Sequence, residues 1–279
     1  MLNSLIAESF SRWAAAWRDR PTNGWRIALV LLAYVGGLIL VMVLANLLLI
    51  PALKSMLGTV TPYLRELVQL LILGAAFSTG LWAALRSQRA LHGPRVPSLW
   101  AAPGVNARYA DAVMSGVLWL LLFLLSSVIT GVDEIRERLL TYSLAQWLLL
   151  GAVAVVTIGI QASSEELIFR GYLLPSLAAR LSIGVTVLLS ILLFTVGHPG
   201  SGIYGTLGVA AFAAVFALAV LKTGTVSYGA GAHVANNLAM FLLYPTVENA
   251  DATPLDLALL SGSLVIWFLW VQRREAARH

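Results

Sequence analysis

The chain has 279 residues, 59% of them apolar and 11% charged, with a mean hydropathy of +0.85 and no cysteine. A soluble domain carries about 25% charged residues, so composition excludes an ordinary soluble enzyme and points to one membrane domain with several spans. The missing cysteines exclude disulfides, thiolate metal sites and a cysteine nucleophile, and the net charge of +5 comes with no basic run interleaved with aromatics that would suit nucleic acid.

Residues 1–24 lack the short apolar core and small-residue cleavage site of a signal peptide. Leu2, Leu5, Ile6, Phe10, Trp13 and Trp17 recur at helical spacing, with Arg12 and Arg18 on the other side. That stripe reads as an amphipathic helix lying on the membrane, or equally as a helix packed on the domain. A first span covers 25–50, enough to cross about 30 Å of hydrocarbon, and Pro51 ends it. A second covers 67–85. A polar loop over 86–110 follows, with His92, Pro94, Pro97, Pro103 and four arginines, and shows no chemistry. After a third span at 112–130, Asp133, Glu134, Arg136, Glu137 and Arg138 form a solvated surface helix.

The fourth span, 147–162, runs into a charged stretch and continues as an apolar helix to Arg180. The fifth, 183–197, is closed by His198, Pro199 and Gly200. Further spans cover 206–221, 225–243 and 255–271, with a polar loop at 245–254 and a basic tail at 272–279. The chain therefore reads as an all-α polytopic membrane protein of about eight transmembrane helices, its membrane domain at 25–271. With the N-terminus inside, the inner segments hold 14 of the 18 Lys and Arg residues. That asymmetry places both termini in the cytoplasm and the end of span four, with Glu165, toward the cytoplasmic side.

Glu165, Glu166 and Arg170 put three charges into six residues directly after an apolar run. A charge at the centre of a membrane helix costs about 2.5–3.5 kcal/mol on insertion scales, so they need a reason. Glu166 and Arg170 are four apart with the acid first, the favourable order for an ion pair on one helical face. Glu165 points about a third of a turn away and needs a partner from another helix, which makes it a candidate general base. His198 and His233 sit on apolar helices, where an ionisable residue is a functional hypothesis. Phe194 and His198 are four apart, and so are His233 and Asn237. If these residues converge, Glu165 and His198 suit the deprotonation of a water, and His233 and Asn237 suit donation to an oxyanion. Two other readings stand beside this one. The same groups can form a buried network that fixes helix packing. Two histidines and a glutamate also match a catalytic zinc ligand set, although no HExxH is present.

At these residues the chain resembles the CAAX prenyl protease type II and bacteriocin-processing (CPBP) family of intramembrane glutamic proteases. Three family motifs occur in order. EExxxR spans residues 165–170 and is extended by Gly171, FxxxH runs from Phe194 to His198, and HxxxN runs from His233 to Asn237. The resemblance covers about 145–245. It implies an eight-helix or similar membrane fold with its site in a conical cavity. Glu165 and His198 would activate water, His233 and Asn237 would form the oxyanion hole, and Glu166, Arg170 and Phe194 would support them without a cofactor. It implies a peptide or protein substrate, with a lipidated CAAX-like C-terminus and a leader peptide both in scope, and a bacterial cytoplasmic membrane. Two other classes remain. A non-catalytic binding or immunity protein would tolerate Glu165→Gln. A proton-coupled transporter predicts paired broken helices in two repeated halves, and the sequence shows no such halves.

Overall fold

The computed structural model describes residues 6–20, 22–58, 60–198, 202–244 and 251–278. Leu2 and Leu5 of the N-terminal stripe, Pro199 and Gly200 behind His198, and most of the 245–254 loop lie outside them. Among the described residues the regular structure is helical, apart from one isolated bridge between Ala101 and Thr225. In chain order the helices are α1 (Glu8–Arg18), α2 (Gly24–Leu44), α3 (Ile50–Leu57), α4 (Pro62–His92), α5 (Tyr109–Thr130) and α6 (Val132–Leu139). They continue as α7 (Leu144–Glu166), α8 (Leu174–Ala178), α9 (Ile183–Gly197), α10 (Gly202–Thr223), α11 (Ser227–Leu243) and α12 (Pro254–Ala276).

Each of the eight apolar segments corresponds to a helix, but they are not equal. Among the described residues six runs are long and apolar enough to cross a membrane: Gly24–Met56, Pro62–His92, Tyr109–Thr130, Leu144–Ala178, Gly202–Thr223 and Pro254–Ala276. At 15 residues α9 reaches about 22 Å, and at 17 residues α11 reaches about 25 Å. Both fall short of the roughly 30 Å hydrocarbon core. His198 caps the C-terminal end of the first, and the second carries His233 and Asn237.

Pro51 does not end the first span. The chain passes through a π-helical turn at Ala45–Leu49 and continues helical to Leu57. A proline lacks the N–H and crowds the carbonyl four residues back. A wider turn just before it shifts that carbonyl away. The same device recurs before Pro175, where Leu167–Leu173 is π-helical and joins α7 to α8. Glu165 therefore lies inside one 35-residue apolar run, Leu144–Ala178, about 30 Å from its start and about 20 Å from its end. The helix runs on past Glu165, beyond the span boundary expected at 162.

Beside a buried apolar core, many large apolar side chains face outward and several polar ones are buried. Leu32, Leu47, Leu125, Val128 and Val196 face outward, while Gln161, Ser164, Glu165, Glu166, Arg170, Ser190 and His233 are buried. With hydrocarbon outside, apolar side chains gain nothing from facing inward, and small residues that let backbones approach decide the packing. Gly37 of α2 meets Gly80 of α4, where a Cβ would stand 2.8 Å from the Gly80 Cα. A Cβ at Gly231 of α11 would sit on the Ala112 carbonyl of α5. These contacts pack α2 on α4 and α11 on α5, and Gly74 of α4 lies as closely against Thr157 of α7.

The periphery is more ordered than the sequence suggests. The stripe of α1 goes to the domain: Phe10, Trp13 and Trp17 are fully buried, the Ala7 N–H donates to the Leu221 carbonyl at 2.9 Å, and the Trp13 indole donates to the Ser98 carbonyl at 2.9 Å. The loop expected at 86–110 shrinks to 93–108, because α4 continues to His92. His92 is a buried helix-end residue, not a loop residue, with Nε2 at 2.8 Å from the Tyr172 hydroxyl. The mixed-charge segment is helical as α6, yet Arg138 is not solvated. It forms a bidentate pair with Glu66 at 2.9 and 2.7 Å and lies over the Trp147 ring at 5.0 Å, an aromatic and carboxylate cage that strips it of water. In the basic tail, Arg274 and Arg278 both bind Asp111 at the start of α5.

Candidate active site

The charged stretch sits where α7 passes into the π-helical turn. Ser164 and Gln161 open the site on α7. The Ser164 hydroxyl donates to the Gln161 carbonyl at 2.9 Å, so the Tyr34 hydroxyl, 3.1 Å away, donates to Ser164. That bond ties α2 to the site helix. Gly171 lies against the Leu99 carbonyl so closely that a Cβ would overlap it, and the 93–108 loop is thereby seated on the site's back wall. Gly171→Ala is expected to cost about 1–3 kcal/mol, read as a lowered unfolding temperature. An unchanged temperature would show that the loop gives way freely.

Glu166 and Arg170 are both fully buried and pair at 3.2 Å. Three other groups hold the pair. His233 Nδ1 lies 3.0 Å from Glu166 Oε1, the Ala213 carbonyl accepts from Arg170 Nη2 at 3.5 Å, and the Arg170 guanidinium lies over the Phe194 ring at 4.2 Å. Phe194 stacks in turn on His198, ring centres 4.3 Å apart. His198 is not on α9 as expected but is the non-helical residue that caps its C-terminal end, and there its ring lies against that of Phe194. His198 Nδ1 lies 2.8 Å from the Phe194 carbonyl. A carbonyl only accepts, so Nδ1 carries the hydrogen, and Nε2 is the nitrogen that faces Glu165.

Glu165 faces away from Arg170, as its place on the helix requires. Its Oε1 lies 3.1 Å from His198 Nε2 and its Oε2 3.4 Å from His233 Nε2. The carboxylate is nearly sealed, with 3% of its side chain exposed, whereas 33% of the His198 side chain is open. His233 bridges the two carboxylates through its two nitrogens. A cavity of about 250 Å³ opens beside these groups, lined by His198, His233, Asn236 and Asn237 on its polar side and by apolar residues such as Val209 and Leu260 opposite. Among the described residues no group of three or more His, Asp or Glu side chains is arranged to hold a metal ion.

The structure therefore brings Glu165, Glu166, Arg170, Phe194, His198, His233 and Asn237 together from α7, the π-helical turn, α9 with its C-terminal cap, and α11. It adds groups that the motifs do not name. Asn237 Nδ2 donates to Gln161 Oε1 at 2.9 Å, and Asn236 Nδ2 donates to Asn237 Oδ1 at 3.1 Å. Gln161 had a local signal: it is an amide in an apolar run, one helical turn before Glu165. Tyr34 and Trp119, from α2 and α5, had none, because their roles come only from packing.

Fold and site together define an integral membrane protein with a buried carboxylate and histidine centre open to an apolar cavity. Residues 143–239 match the family model for type II CAAX prenyl endopeptidases, Rce1-like. All three motifs lie inside that match, and the matched family is one of proteases. A 105-residue stretch is 34% identical to the uncharacterized protein YyaK of Bacillus subtilis (strain 168), over 34% of this chain and 34% of that protein. The chain thus spans about a third of the length of this curated relative. No solved structure matches the chain.

Proposed function

We propose that the chain is an intramembrane endopeptidase of the glutamate type. The observation that carries this reading is the buried Glu165 carboxylate held against His198 and His233, which line one cavity together with Asn237. The carbonyl of the scissile bond lies at the cavity wall, and a water beside Glu165 attacks its carbon. Glu165 takes the proton of that water, with His198 Nε2 as its exchange partner. The carbonyl oxygen gains negative charge and accepts from Asn237 and from His233 Nε2, which makes no hydrogen bond to Glu165 at 3.4 Å, since donors aimed at developing charge supply a large share of catalysis. The tetrahedral centre then collapses, the C–N bond breaks, and the proton passes through His198 to the leaving amine. The open face of His198 and the sealed carboxylate support this division of work. Two carboxylates, one arginine and a bridging histidine supply charge balance without bulk water.

The apolar wall supports a substrate with a large apolar group near the cleaved bond, a lipidated C-terminus or the apolar segment of a leader peptide. The basic inner segments support a bacterial cytoplasmic membrane with both termini inside. The test is peptide cleavage in reconstituted vesicles, with a mixed library of lipidated and unlipidated peptides and new termini read by mass spectrometry. New termini that survive a chelator and vanish with Glu165→Gln support the proposal. Termini lost on chelation would replace the glutamate mechanism by a metal one. Asn237→Ala is expected to lower turnover by about 100- to 1,000-fold, as for one oxyanion donor. Unchanged turnover removes Asn237 from that role.

A further inference from the structure

Asn237 serves a developing oxyanion only if an amide nitrogen, not the amide oxygen, faces the cavity. The two ends of an amide have nearly the same shape, so the side chain itself does not decide between them. Its neighbours do. Trp119 of α5 is buried, with edge contacts to Phe212, Phe216 and Trp267 at 5.6, 6.3 and 6.3 Å. An indole N–H can only donate, and it lies 3.2 Å from Asn236 Oδ1. With its oxygen given to Trp119, Asn236 turns its nitrogen to Asn237 Oδ1. Asn237, its oxygen engaged, turns its nitrogen to Gln161 Oε1. Gln161 lies one helical turn before Glu165 on α7, so the relay of amides ends beside the base. The donor-only indole at one end imposes one polarity on the three amides that follow it. Adjacent residues of a helix project about 100° apart, so Asn236 faces α5 and Asn237 faces α7, and the pair carries the polarity across α11.

We propose that Trp119, Asn236 and Gln161 are positioning residues that hold the Asn237 amide with a nitrogen toward the cavity. The proposal rests on the catalytic reading of the site given above. The wrong orientation would set the Asn237 oxygen against Gln161 Oε1 and its nitrogen against Asn236 Nδ2. One amide cannot turn alone, so the chain of amides turns as a unit or stays. Its polarity is anchored by a tryptophan in the apolar core, at the end farthest from the base.

Trp119→Phe keeps an aromatic ring in that core and removes the donor. The expected result is a fall in kcat of about tenfold with KM unchanged, the effect of losing one orienting hydrogen bond. On an Asn237→Ala background the same change is expected to add nothing. An equal loss in both backgrounds overturns the proposal, because Trp119 would then act on something other than Asn237. A second arm needs no turnover. In protein with isotopically labelled asparagine side chains in lipid nanodiscs, the Asn237 amide resonances, assigned by their loss in Asn237→Ala, are expected to shift in Trp119→Phe. Unshifted resonances overturn the proposal even if activity falls. Cleavage that persists in Glu165→Gln would end the catalytic reading, and this arm would still report the amide polarity. If Trp119→Phe fails to fold, Asn236→Leu cuts the same chain without removing a core ring, and the same two readouts apply.

Discussion

Glu165→Gln is expected to lower turnover by about 100- to 10,000-fold, the range for a positioned general base, while the unfolding temperature moves little. The substitution keeps the size of the side chain. Its amide can still meet His198 across the 3.1 Å gap and His233 across the 3.4 Å gap. A neutral amide is also cheaper to bury than a carboxylate, and this position is almost fully buried. What disappears is the capacity to take a proton from water. Peptide cleavage and thermal unfolding, measured on the same reconstituted sample, separate the outcomes. Loss of folded protein would assign Glu165 to a packing network. Retained cleavage by folded protein would end the glutamate reading.

Arg170→Ala is expected to destabilise the protein by about 3–5 kcal/mol, the cost of removing one partner of a buried ion pair. Arg170 and Glu166 have no exposed side-chain surface. The loss leaves Glu166 with His233 Nδ1 at 3.0 Å as its remaining ionic contact among the described residues. It also removes the cation from the Phe194 face at 4.2 Å, and that ring holds His198 in place. A rise in disorder at His198 should accompany the lost stability. Arg170→Lys keeps the charge but not the planar fork that lies over the ring, so its unfolding temperature should fall between the two. A stable, active Arg170→Ala would show that His233 alone carries the Glu166 charge.

The contrast between the two acids was legible in the sequence because helix geometry is local. Glu166 and Arg170 pair because four residues make about one turn, and Glu165 points elsewhere for the same reason. The spacing of His233 with Asn237 was legible on that ground too, whereas His198 caps α9 instead of continuing it. Pro51 misled because a proline ends a helix only if no wider turn precedes it. Arg138 misled because its cage is built from Glu66, Tyr142, Trp147 and Phe241, which come from four other segments.

By itself the sequence determined a helical membrane protein, its main apolar segments, and three short motifs with the right residues on the right faces. Apolar length and a repeat of 3.6 residues settle those matters without reference to the rest of the chain. Only the tertiary structure decided that the motifs meet, that Glu165 lies inside a continuous run of helix, and that the two shorter helices bring His198, His233 and Asn237 to it. It also decided which end of the Asn237 amide meets Asn236 and which meets Gln161. Long-range packing sets that choice, through glycine contacts that seat α11 against α5 and a tryptophan donor that no local spacing reveals.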